Sequence, residues 1–120
     1  MILDSDIQDV IALEQILVSA GYEVSSLTGP YGVLPKLDFV RPDILILNPD
    51  MDGMDTDALL LTLSQTPSMK DMLIILTCRG NPADVEAYCL NMGLHGYFMK
   101  DNGFEGILNY LDHFYDRANA

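Results

Sequence analysis

Four small sets of polar residues each follow a short apolar run: Asp4-Ser5-Asp6, Asn48, Thr77 and Lys100. Paired carboxylates are ligands for a hard divalent cation, an ammonium neutralises anionic oxygens, and a hydroxyl donates to one. The loop after Asn48 is crowded with acids, at Asp50, Asp52, Asp55 and Asp57. Asn48, Asp50, Asp52 and Gly53 match the opening of an EF-hand calcium loop. Leu59, however, stands where that loop needs its bidentate glutamate, and a strand-like run precedes it where a helix is required, so calcium is not expected. Asp55 and Asp57 suit the N-terminus of the next helix through its dipole, and Asp50 and Asp52 read as solvated or as a substitute site. His95 and His113 stand alone and read as surface residues. No Ser–His or Cys–His arrangement stands out, and no glycine-rich loop is present to cradle a phosphate.

The elements that must position these groups follow from hydrophobic period. Apolar runs of strand length occur at Met1-Ile2-Leu3, Tyr22 to Leu27, Ile44 to Leu47, Met72 to Leu76 and Tyr97-Phe98-Met99. Between them lie faces of helical spacing: Val10, Leu13, Leu17, Ala20; then Leu59, Leu60, Leu63; then Val85, Tyr88, Cys89, Met92; then Ile107, Tyr110, Leu111, Phe114. Gly21 and Gly93 are placed to end helices, and Asn81-Pro82 to begin one. Gly29 to Val40 carries Pro35 in its middle and predicts a short, irregular or kinked helix. The methionines follow the apolar pattern, with Met51, Met54 and Met69 as candidates for exposed contact points. Alternating strands and helices predict an α/β fold with a parallel sheet covered on both faces, and ligands collect beyond the carboxyl ends of such strands.

Composition bounds the function. The 120 residues suit a single domain, 1–120. A formal net charge of −12, with six scattered bases, disfavours nucleic acid and anionic membrane as partners of this domain. No run is long enough to span a membrane, and Cys78 and Cys89 are too few for a disulfide framework, so reduced thiols in a cytoplasmic protein are expected.

The order of strand-end residues resembles the response-regulator receiver family, of which CheY-like proteins are members. The matching spans are Ile2 to Asp6, Arg41-Pro42-Asp43-Ile44 through Gly53-Met54-Asp55, Ile74 to Thr77, and Gly96 to Lys100. The resemblance implies a flavodoxin-like three-layer sandwich of five strand–helix units around a five-stranded parallel sheet. It also implies two-component signalling, in which an acidic pair holds Mg²⁺ while an aspartate accepts a phosphoryl group. Asp4 matches the first acid of the pair, Thr77 the switch hydroxyl, Lys100 the ammonium, and Tyr97 the aromatic that rotates inward on phosphorylation.

The departures fall on the chemistry. Asn48 stands at the phosphoaccepting aspartate, and a neutral amide is no nucleophile towards phosphorus. Ser5 replaces the second acid, the main metal ligand, so Mg²⁺ is expected to bind weakly at most and no other cofactor is expected. Asp101 follows Lys100 where the family has a proline after a cis bond; a non-proline cis bond costs about 2.5–4 kcal/mol, which predicts a trans bond and a changed loop. Without a charged residue at 48, Lys100 is expected to pair with Asp4 or Asp6. The reading is a degenerate receiver, a non-enzymatic pseudo-receiver that binds a sensor kinase, output domain or other signalling protein. The implied partner face is the fourth helix, fifth strand and fifth helix: Val85 to Met92, Tyr97 to Lys100 and Gly103 to Phe114. One alternative is a conventional receiver phosphorylated at Asp50 or Asp52; another is a flavodoxin-like small-molecule domain.

Overall fold

In a computed structural model the chain is described over residues 1–118, with side chains through residue 114. Five strands, β1 (Ile2–Leu3), β2 (Ser26–Leu27), β3 (Ile44–Leu47), β4 (Leu73–Cys78) and β5 (Gly96–Met99), alternate with five helices. These are α1 (Ile7–Ser19), α2 (Val33–Val40), α3 (Thr56–Ser64), α4 (Pro82–Asn91) and α5 (Ile107–Ala118). The strands form one sheet in the order β2-β1-β3-β4-β5, every pairing parallel. The strand order reverses between β1 and β3, so their carboxyl ends open the crevice where chemistry is expected.

The pleat sorts each strand between two cores. Leu3, Leu45, Leu47 and Leu76 meet Leu37, Leu59, Leu63 and Cys89 of α2, α3 and α4. Ile2, Ile44, Ile46 and Ile75 meet Val10, Leu13, Leu17, Ile107 and Leu111 of α1 and α5. Every residue of β3 is buried, which is why Ile44 to Leu47 is continuously apolar. Each fully buried leucine or isoleucine there contributes about 1.5–3 kcal/mol. Side-chain caps fix three helix starts. The Asp6 carboxylate accepts from the Asp9 N–H at 3.1 Å, Asp55 from Ala58 at 3.0 Å, and Asn81 from Ala83 at 2.9 Å. Gly96 is required by packing: a Cβ there would lie 2.3 Å from the Tyr110 hydroxyl oxygen and 2.5 Å from Phe114 Cζ.

Several expectations from sequence need correction. The second apolar run yields only the two-residue β2, because its partner β1 is itself two residues long. Thr77 lies inside β4 rather than after it, since β4 continues beside β5 with Thr77 opposite Phe98. The helix expected within Gly29 to Val40 is short, as read, but Pro35 falls in its first turn, where no intrahelical N–H is needed, because the helix begins only at Val33. Met51 is core, 3% exposed, and Ala20 is exposed just past α1. Both cysteines are free and buried. No described helix is long and apolar enough to cross a membrane.

Candidate functional site at the carboxyl end of the sheet

Asp4 follows β1 and is fully buried. Lys100 leaves β5 into a 3-10 turn over Lys100–Asn102, which brings its side chain back across the sheet's end. There its Nζ donates to Asp4 Oδ2 and, at 2.8 Å, to Asp9 Oδ2, with only 1% of the lysine side chain exposed. The second Asp4 oxygen is engaged as well, accepting from the Asp6 N–H at 2.9 Å and from the Asn48 side-chain amide at 3.1 Å. Asn48 turns its own oxygen to the Asp50 N–H at 3.0 Å, which fixes the orientation of the amide. Arg79, just beyond β4, closes the outer side by donating to Asp9 at 3.1 and 3.4 Å. Lys100 is therefore shared by Asp4 and Asp9, while Asp6 meets Arg79 at 3.9 Å and not the lysine.

Burial alone would raise the Asp9 carboxyl, but the hydrogen bonds from Lys100 and Arg79, with their charges, outweigh it and hold the group below its ordinary value. No motif singles out Asp9 among the acids of the chain. Its signal was position: four residues before Leu13, it belongs to the inward face of α1. Arg79 gave no comparable signal.

The other positions are arranged differently from a phosphoryl site. Ser5 is exposed and outside the network, and Asp50 and Asp52 are exposed in the loop after β3. Tyr97 packs partly buried against the α2–α4 core, and its N–H donates to the Tyr110 hydroxyl at 2.8 Å. Asp101 follows a trans bond and accepts from the Gly80 N–H at 3.3 Å, tying the end of β5 to the loop before α4. Lys100, expected on the face of the fourth helix, fifth strand and fifth helix, is buried at the site and presents no surface to a partner. The Nδ1 atom of exposed His95 accepts from the Ile74 N–H at 3.0 Å.

Thr77 is fully buried, and its hydroxyl has no hydrogen-bond partner among the described residues. A buried hydroxyl left unpaired costs about 1–3 kcal/mol, so the near-isosteric Thr77→Val variant should be at least as stable as the native chain. Urea denaturation checks this; a loss above about 1 kcal/mol would mean the hydroxyl is bonded in solution.

A divalent cation fits this donor set poorly. Both oxygens of Asp4 are committed, the neighbouring position supplies an exposed serine, and position 48 supplies an amide whose NH₂ faces inward. Among the described residues no group of three or more His, Cys, Asp and Glu side chains is arranged to hold a metal ion.

Residues 1–112 match the response regulator receiver domain. The chain belongs to this family. Solved structures agree on the receiver fold. A two-component response regulator from Clostridium difficile is 18% identical with a TM-score of 0.85, over 99% of this chain and 96% of that one. The signal receiver domain of a DNA-binding response regulator from Colwellia psychrerythraea is 20% identical with a TM-score of 0.84, over 96% and 95%. A CheY-like receiver domain protein from Methanospirillum hungatei is 21% identical with a TM-score of 0.83, over 98% and 93%. No curated protein matches the sequence. The chain is thus a two-component receiver domain, and such domains act by meeting protein partners such as kinases or output domains.

Proposed function

We propose that this receiver domain signals as a protein-interaction module without being phosphorylated itself and without enzymatic activity. The observation that carries the reading is the closed network around Asp4. The groups that the family directs at Mg²⁺ and at phosphoryl oxygens, Asp4 and Lys100, are bonded here to each other, to Asn48 and to Asp9. A receiver normally has two arrangements close in energy, and phosphorylation supplies the differential interaction that shifts between them. An amide at position 48 removes that input, which favours one permanent state of the face formed by α4, β5 and α5. On that face Glu86 and Leu90 are exposed, Leu90 by 75%.

Incubation with acetyl phosphate and Mg²⁺, read by intact mass, tests this. The expected spectrum is unchanged. A stable gain of one phosphoryl group would overturn the reading, and its position, Asp50 or Asp52 included, would follow from fragment masses.

A further inference from the structure

We propose that the groove between α3 and α4 docks a short peptide segment of a protein partner in which arginines flank an apolar side chain. This does not depend on whether Asn48 abolishes phosphorylation. The groove encloses about 430 Å³, within the range of binding clefts, and lies beside the carboxyl end of β4. Its floor is apolar, made by Met54, Leu76, Cys78 and Val85. Its walls are carboxylates: Asp50, Asp55 and Asp57 on one side and Asp84 on the other, all exposed.

Among the described residues the charges on this rim have no cationic partner. The one basic residue lining the groove, Arg79, is turned to Asp9 and Asp6. Lys100 is held by Asp4 and Asp9, Lys36 donates to the Ser26 carbonyl, and Arg41 lies against Asp38. Among the described side chains no ion pair reaches any of the four rim acids. Two ionisable groups at the groove register the same negative field. The Tyr88 hydroxyl is raised by burial, by its 2.6 Å bond to Asp57, and by the charges of Asp57, Asp50 and Asp55. Burial and then Asp50 push the Cys78 thiol up to about 11.

Helix dipoles account for part of the rim, since Asp55 caps α3 and Asp57 and Asp84 lie in first turns. Asp50 stands in the loop before α3 and has no such role. An apolar floor ringed by uncompensated carboxylates is complementary to one apolar side chain between cations. Arginine fits better than lysine because its planar fork meets carboxylates bidentately.

The test titrates the intact, ¹⁵N-labelled chain with a synthetic peptide alternating Arg and Leu, beside matched Arg/Ser and Glu/Leu peptides. The Arg/Leu peptide should bind saturably, shifting the amides of Leu76, Cys78 and Val85, and should bind more tightly than Arg/Ser. The double variant Asp50→Asn with Asp84→Asn should weaken it roughly tenfold at low salt, whereas Asp71→Asn with Asp112→Asn, carrying the same net charge, should not. Thermal melting confirms that both variants remain folded. Equal binding of the Arg/Ser peptide, or equal weakening by both double variants, would mean net charge alone attracts the peptide and would overturn the proposal.

Discussion

Replacing Lys100 by methionine should destabilise the domain by about 3–5 kcal/mol at neutral pH, the range for removing one partner of a buried ion pair. The ammonium is the charge that the buried Asp4 and Asp9 share, and its side chain is 1% exposed. Without it, Asp4 keeps only the Asp6 N–H and the Asn48 amide, neither of them charged, and Arg79 reaches Asp9 but not Asp4. The pH dependence should then change sign. In the native chain Asp9 lies below its ordinary value of 3.8, so its contribution is complete above that pH and is lost as pH falls through the lower native value. In the variant Asp4 is left as a buried anion with no cationic partner, while Asp9 keeps Arg79. The cost of that uncompensated charge is greatest at neutral pH and is relieved as the carboxylate takes up a proton. Urea denaturation at pH 7 and pH 5 separates the two. The native chain should change little between them, and the variant should regain stability at pH 5. Converting Asp4 to Asn in the methionine background should recover a large part of the loss, because it removes the buried charge along with its partner. A loss below about 1 kcal/mol for Lys100→Met would mean that the lysine is solvated and the network is not a folding element.

The network also marks where reading the sequence reaches its limit. β3 was legible because a central parallel strand is buried on both faces, leaving four apolar residues in a row. The starts of α3 and α4 were legible because capping and the helix dipole act between residues close in the chain. β2 was not, because what makes Ser26–Leu27 a strand is pairing with β1 across the chain, while its apolar neighbours from Tyr22 have no strand to pair with. Asp4 and Lys100 could be placed together because both leave strands at the same end of the sheet. Asp9 enters their site from the side of a helix, and only the tertiary packing of α1 over that end turns an acid in a first helical turn into a second partner for the lysine. Met51 shows the same limit in reverse: a residue in an acidic loop is folded into the core by the turn that precedes α3.

Restoring aspartate at position 48 alone should make the domain less stable without making it a working receiver. The Asn48 amide donates to Asp4 at 3.1 Å, and a carboxylate there would set two acceptors of like charge against each other with Lys100 already committed. Two carboxylates sharing a site force one of their pKa values up, so the Asn48→Asp penalty, about 1–3 kcal/mol, should be small in acid and should grow as pH rises through that raised value. Adding Ser5→Asp changes what the like charges can do. Three carboxylates at positions 4, 5 and 48 form the donor set that a hard divalent cation requires, and the cation would replace repulsion with shared coordination. The double variant should therefore be the less stable of the two in chelator and should be rescued by Mg²⁺. If its dissociation constant is about 1 mM, 10 mM Mg²⁺ adds about 1.4 kcal/mol by mass action. Phosphorylation by acetyl phosphate should appear in the double variant and not in the single one. Thermal melts with and without Mg²⁺, paired with intact-mass spectra, read both quantities. Should Asn48→Asp alone take up both Mg²⁺ and a phosphoryl group, Ser5 would not be the residue that disables the metal site. The proposed lack of phosphorylation in the native chain would then rest on the single amide at position 48.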